Sequence, residues 1–202
     1  MKRISLIINI VLAAAVCALA YVAFCGDGKS QNDTVSTILT RTSIRAYTSQ
    51  PVEQEKVETL LRAAMAAPTA MNKQPWDFVV VNDAKVLAAL SDSLPYAKML
   101  KQAQLAIVVC GNKHKTIEGN GEDFWIQDAS AATENLLLAA HAMGLGAVWT
   151  GVYPTERVAP VSTVLGLPDY VVPLNVIPVG YPAESPEPKD KWKPENIHYN
   201  AW

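Results

Sequence analysis

Cysteine is scarce in this chain: Cys17, Cys25 and Cys110 are the three in 202 residues. They are too few and too scattered for a disulfide framework, and no CxxC or Cys/His ligand spacing accompanies them, so a zinc site has no support. Charge is sparse too, with 17 Lys+Arg against 19 Asp+Glu, a net charge of −2 and a pI near 5.9. That balance argues against a nucleic-acid binder, which needs a basic face. G-x-S-x-G, G-x-G-x-x-G and P-loop patterns are missing, which removes support for an α/β hydrolase, a dinucleotide fold and a nucleotide kinase. The histidines His114, His141 and His198 have no paired nucleophile; His141, inside a helical pattern, reads as structural. Internal repeats are absent.

What is present is apolar: half the residues are hydrophobic, enough for one full core. Lys2-Arg3 precede an apolar run from Ile4 to Phe24, and Gly26-Asp27-Gly28-Lys29-Ser30 follows it. A basic start, an apolar stretch and Ala18-Leu19-Ala20 as a small-x-small site describe a secretory signal. The run is also long enough to span ~30 Å of hydrocarbon as an anchor, and Cys25 stands where a lipoprotein would be acylated, although Phe24 is large for that junction. The expected division is 1–24 as signal or anchor, 25–33 as polar linker and 34–202 as the globular domain. Lys2 and Arg3 place that domain outside the cytoplasm, in a bacterial envelope on the periplasmic side.

Within the domain, Val35, Ile38 and Leu39 have helical spacing. A clearer helix follows Ser49-Gln50-Pro51, with Val57, Leu60, Leu61, Ala64 and Met65 on one face and Pro68 as its stop. Phe78–Val81 and Leu105–Cys110 read as buried strands, the second ended by Gly111-Asn112, with a helix around Val86, Leu87 and Leu90 between them. Asp123 to Met143 is the longest helical segment, rich in Ala and closed at Gly144-Leu145-Gly146. Ala147–Thr150 reads as a strand, Thr155–Leu165 as a helix, and Val171–Val179 as a strand broken by Pro173 and Pro178. The order is α+β or α/β. After Tyr181 the chain becomes Pro- and charge-rich, an extended tail suited to lying on another surface.

Two features carry chemistry. Arg41 and Arg45, four residues apart with Thr42 and Ser43 between, suit a phosphate through forked, charge-assisted bonds; alone they are equally a solvated surface. Ala67–Trp76 links a helix to a strand and carries Asn72 and Gln74, whose amides offer both donors and acceptors, as the pyrimidine edge of a flavin requires. Alone it is equally a Pro-limited connection anchored by Trp76.

Taken in order, Arg41-Thr42-Ser43-Ile44-Arg45-Ala46-Tyr47, the Ala67–Trp76 loop, Gly144-Leu145-Gly146-Ala147-Val148-Trp149-Thr150-Gly151 and Pro188-Lys189-Asp190-Lys191 through Ile197-His198-Tyr199-Asn200 resemble the FMN-dependent nitroreductase family. The resemblance covers residues 34–202. It implies an α+β fold with a central mixed sheet flanked by helices, assembled as an intertwined homodimer with FMN at the subunit interface. It implies cofactor contacts from Arg41, Thr42, Ser43, Arg45, Lys189 and Lys191 around the phosphate and flavin edge. It also implies contacts from Pro68, Thr69, Ala70, Asn72 and Gln74 of the partner's loop, and from Trp149, Thr150 and Gly151, a backbone N–H of the last two facing N5. Lys191 stands where the family commonly has Arg, a point charge in place of a fork. No catalytic side chain and no metal is implied, because FMN carries the hydride.

The implied activity is a ping-pong oxidoreductase: NADH or NADPH gives hydride, and a nitroaromatic, quinone or similar small acceptor takes it. Trp149, Tyr96 and Phe124 are aromatic candidates for the substrate face. An exported enzyme would meet little NAD(P)H, so a membrane-anchored FMN electron carrier, or a relative resembling reductive dehalogenases with another donor, is the alternative expectation.

Overall fold

The computed structural model describes residues 32–202. The expected leader, Cys17, Cys25 and nearly all of the linker lie outside the described residues. By contacts the chain divides into residues 1–39 and 40–202. Helix α1 (Asn32–Thr40) ends at that division, and all that follows concerns the larger unit. Among the described residues no helix is long and apolar enough to cross a membrane.

Helix α2 (Gln54–Met65) buries Val57, Leu60 and Ala64, the face its spacing predicts. Strand β1 (Trp76–Val81) follows the amide-rich loop. Helix α3 (Ala84–Ser93) is capped by Asp83, whose carboxylate accepts from Lys85 N at 2.7 Å and Val86 N at 3.1 Å. Then come the fully buried β2 (Leu105–Asn112), α4 (Phe124–Ala142), two short strands β3 (Gly146–Ala147) and β4 (Thr150–Gly151), α5 (Val158–Leu165) and β5 (Val171–Gly180).

The sheet order is β1-β2-β5, with β3 and β4 sharing the far edge of β5. All of these pairings are antiparallel, so the fold is mixed α+β by composition rather than by strand direction. Alternation along β2 sends Ile107 and Val109 to one face, with Leu60, Ala64 and Leu136, and Ala106 and Val108 to the other, with Leu87, Leu90 and Val161. Helices α2 and α4 therefore cover one face, and α3 and α5 the other.

Three local expectations are corrected. Gly111-Asn112 does not end β2, because Gly111 pairs with Trp76 and Val172 and lies under the Trp125 ring, where a side chain would not fit. The prolines do not break β5. Pro173 sits beside a β-bulge at Val109/Cys110, and Pro178 falls opposite the gap between β3 and β4, where its missing N–H leaves no ladder bond unmade. Residues 155–157 form a turn ahead of α5, because the Thr155 hydroxyl donates to Val152 O at 2.6 Å and accepts from Arg157 N at 3.2 Å. Within the chain, Ala129, Ala132 and Ala140 of α4 are fully buried, and Asn135 Nδ2 donates to Ala63 O at 3.1 Å, joining α4 to α2.

Candidate functional site

The segment 41–48 runs between β3 and the start of the tail. Ile44 N donates to Ala147 O at 3.1 Å on one side, while Thr48 N donates to Tyr181 O and Ala183 N to Ala46 O, both at 2.9 Å, on the other. Along it Ile44 and Tyr47 are buried while Arg45 is exposed. Ile44 reaches β3 because Gly146 has no side chain; a Cβ there would stand 2.6 Å from Ile44 Cγ2. The Tyr47 hydroxyl donates to Ile44 O at 2.6 Å. Burial first, and then the Glu184 carboxylate, push its phenol above the ordinary range, with Arg45 pulling the other way.

This ribbon brings together residues separated by about 140 positions. Arg41, Thr42, Ser43 and Arg45 line one cleft of ≈ 320 Å³ with Pro186, Glu187, Lys189 and Lys191. Arg41 is tied to α4 through Glu134, whose Oε1 lies 3.4 Å from its Nε. Among the described residues Arg45, Lys189 and Lys191 pair with no carboxylate. Four cations and two hydroxyls around a space this size suit a phosphate monoester dianion, which needs donors and no competing anion. Glu187 is the one unfavourable member.

The amide loop lies elsewhere. Ala70–Asn72 form a 3-10 turn held by Asp128, whose Oδ1 accepts from Ala70 N at 3.0 Å. Thr69 Oγ1 accepts from Gln74 N, and Asn72 Oδ1 from Gln74 Nε2, each at 3.1 Å. Met71, Asn72 and Gln74 all adopt φ near +50°, a strained run for non-glycine residues that a binding loop can retain. Asp128 and Glu134 are six residues apart on α4, roughly 120° around its axis. The loop and the cation cleft are thus anchored to different faces of one helix, and Pro68, Thr69, Ala70, Asn72 and Gln74 do not line the cleft.

The third group is the Trp149–Gly151 turn. Thr150 is buried and paired to Val176 of β5. Arg157 Nη1 donates to Gly151 O at 3.5 Å, and its guanidinium lies over the Tyr96 ring. Of the aromatic candidates, Trp149 and Tyr96 gather at this turn, with the Trp149 indole 3.9 Å from a Cβ built on Gly151. Phe124 opens α4, one turn before Asp128, on the side of the amide loop. The histidines have structural partners: His141 meets the Thr40 hydroxyl at 3.0 Å, and His114 stacks on Tyr170.

Sequence reasoning missed Asp128, Glu134, Glu184 and Arg157. Asp128, an acid on the buried face of an Ala-rich helix, was the one with a visible signal; the partners of the others lie far away along the chain.

Comparison with known proteins identifies the family of the fold. A Methanothermobacter thermautotrophicus protein, provisionally named NADH dehydrogenase/NAD(P)H nitroreductase, is 45% identical over 179 residues, 87% of this chain and 92% of its own length. A Parabacteroides distasonis crystal structure given the same provisional name matches at TM-score 0.81 and 50% identity, over 85% of this chain and all of that one. An FMN-dependent nitroreductase from Clostridium difficile R20291 matches at TM-score 0.76 and 30% identity, over 83% of this chain and 99% of its own. The model of the nitroreductase family matches residues 38–94 and 89–181, and the chain belongs to that family.

Proposed function

We propose that this chain is an FMN-dependent oxidoreductase that takes hydride from NAD(P)H and passes it to a small acceptor of the nitroaromatic or quinone class, in a site completed by a second copy of the chain. The observation that carries it is the cation cleft, in which Arg41, Ser43 and Arg45 meet Lys189 and Lys191. The named activities of the relatives support the same class. FMN, when bound, supplies hydride acceptance and delivery, and the protein supplies position and electrostatics.

Each group then has a part. Arg41, Arg45, Lys189 and Lys191 hold the phosphate, with Thr42 and Ser43 adding hydroxyl donors. The Thr150-Gly151 backbone offers an N–H to the ring, and Trp149 and Tyr96 wall the acceptor side. Asn72 and Gln74, preset by Thr69 and Asp128, address the polar edge of the ring from the partner. A second copy is required because one chain anchors the loop and the cleft on different faces of α4. Trp192, Tyr199 and Trp202, 71%, 83% and 100% exposed in the extended tail, suit burial on that copy. Export, with the domain on the periplasmic side, remains part of this reading on the strength of Lys2-Arg3 and the apolar run to Phe24.

Subunit complementation tests the composite site. One chain carries Arg45→Ala and Lys189→Ala, and the other carries Asn72→Ala and Gln74→Ala. Each alone is expected to be inactive. Random pairing yields half heterodimers with one intact site each, so co-expression restores about a quarter of the wild-type activity. A mixture no more active than its parents contradicts a shared site.

A further inference from the structure

Glu184 Oε1 accepts hydrogen bonds from two successive backbone N–H groups, a short one from Arg45 and a second from Ala46 at 3.1 Å. These bonds end the ribbon in which Thr48 pairs with Tyr181, Tyr47 with Pro182 and Ala46 with Ala183. Beyond Glu184 the tail has no further backbone tie to the 41–48 segment, yet five residues later it delivers Lys189 to the cleft where the Arg45 side chain stands. The last hydrogen-bonded tie of the tail to that segment is therefore a carboxylate bonded to the backbone of a cleft residue.

The placement is costly by charge alone. An anion beside a phosphate site repels the ligand, and the cleft already contains Glu187. A carboxylate that only filled space here would oppose binding.

We propose that Glu184 is a positioning residue for the phosphate cleft, latching the tail to the Arg45-Ala46 backbone so that Lys189 and Lys191 meet Arg41 and Arg45 around one ligand. The latch strengthens phosphate binding in spite of its charge, because a held ribbon removes the ordering that four separate cations would otherwise undergo on binding. It rests on the reading of this cleft as the FMN phosphate site.

The sign of the effect separates positioning from Coulomb repulsion. Full-length protein stripped of flavin is titrated with FMN and with riboflavin, which lacks the phosphate, and binding is followed by flavin fluorescence. Glu184→Ala weakens FMN about tenfold or more, while riboflavin changes by less than about threefold. Glu184→Gln, which keeps a carbonyl acceptor for the two N–H groups, stays within about threefold of wild type. Glu187→Gln removes the same charge without a latch and binds FMN as tightly as wild type or tighter.

Two results overturn the latch: FMN affinity in Glu184→Ala unchanged or raised, or parallel losses for FMN and riboflavin, which mean general damage. Lys189→Ala keeps the premise separate. If it lowers the preference for FMN over riboflavin while Glu184→Ala does not, only the latch fails. If Lys189→Ala leaves that preference unchanged, the phosphate reading fails and the latch falls with it.

Discussion

Arg41 Nε stands 3.4 Å from Glu134 Oε1, which ties the first cation of the cleft to helix α4. Glu134 is half exposed, so the pair adds little stability of its own. Its consequence is geometric. The Arg41 side chain, only 18% exposed, is held beside the cleft before any ligand arrives, while Arg45 and Lys189 remain unpaired and available.

Removing either unpaired cation is therefore expected to loosen FMN. Arg45→Ala and Lys189→Ala should each weaken retention by roughly 1.5–3 kcal/mol, the range for a hydrogen bond to a charged group. Flavin absorbance per chain after extensive dialysis reads the loss; full occupancy in both variants would place the phosphate elsewhere.

Asp128→Ala should act differently. It strips Ala70 N–H of its acceptor at a buried position, at a cost of about 1–3 kcal/mol, and frees the amide loop. In the proposed site that loop addresses the ring and not the phosphate, so riboflavin and FMN affinities should fall together. A selective loss for FMN would mean that the loop serves the phosphate.

Gly111→Ala tests why β2 continues past the glycine. The new Cβ would lie 2.1 Å from Trp125 Cε3, deep against a fully buried ring. Overpacking of this kind costs about 1–3 kcal/mol or more, and each kcal/mol lowers Tm by roughly 2–4 °C in a domain of this size. An unchanged Tm would show that the ring moves aside freely.

Alkaline stability follows from two buried acids. Tyr47 holds its proton more tightly when folded, through burial and then Glu184, and Cys110 is pushed up to about 12 by burial and then Asp77. A raised folded pKa gives stability that is complete below the unfolded value and is lost as pH rises, so decline should begin above about pH 9 for Cys110 and above about pH 10 for Tyr47. Tyr47→Phe should lower Tm at neutral pH, since Ile44 O and Pro178 O lose a donor, yet show a shallower alkaline decline in thermal melts. An identical alkaline slope would remove Tyr47 from the account.

The sequence carried the helices and strands because their signals are local: the Ser49-Gln50-Pro51 start, the helical spacing of Val57, Leu60 and Ala64, and the apolar runs of β1 and β2. It also carried both halves of the cation cleft, since Arg41 to Arg45 and Lys189 to Lys191 are compact motifs. What joins those halves was invisible. Glu184 bonds backbone N–H groups some 138 residues away, and an ordinary Glu in a Pro-rich tail advertises nothing. The prolines misled for a related reason: whether Pro178 interrupts a ladder depends on the gap between β3 and β4 opposite it, which the register of other strands decides.

The most direct measurement is the visible spectrum of the purified protein, with its chromophore identified by chromatography and titrated anaerobically with NADH or NADPH. The account predicts yellow protein holding one FMN per chain that bleaches on addition of the nicotinamide. Colourless protein that refuses added FMN would contradict it.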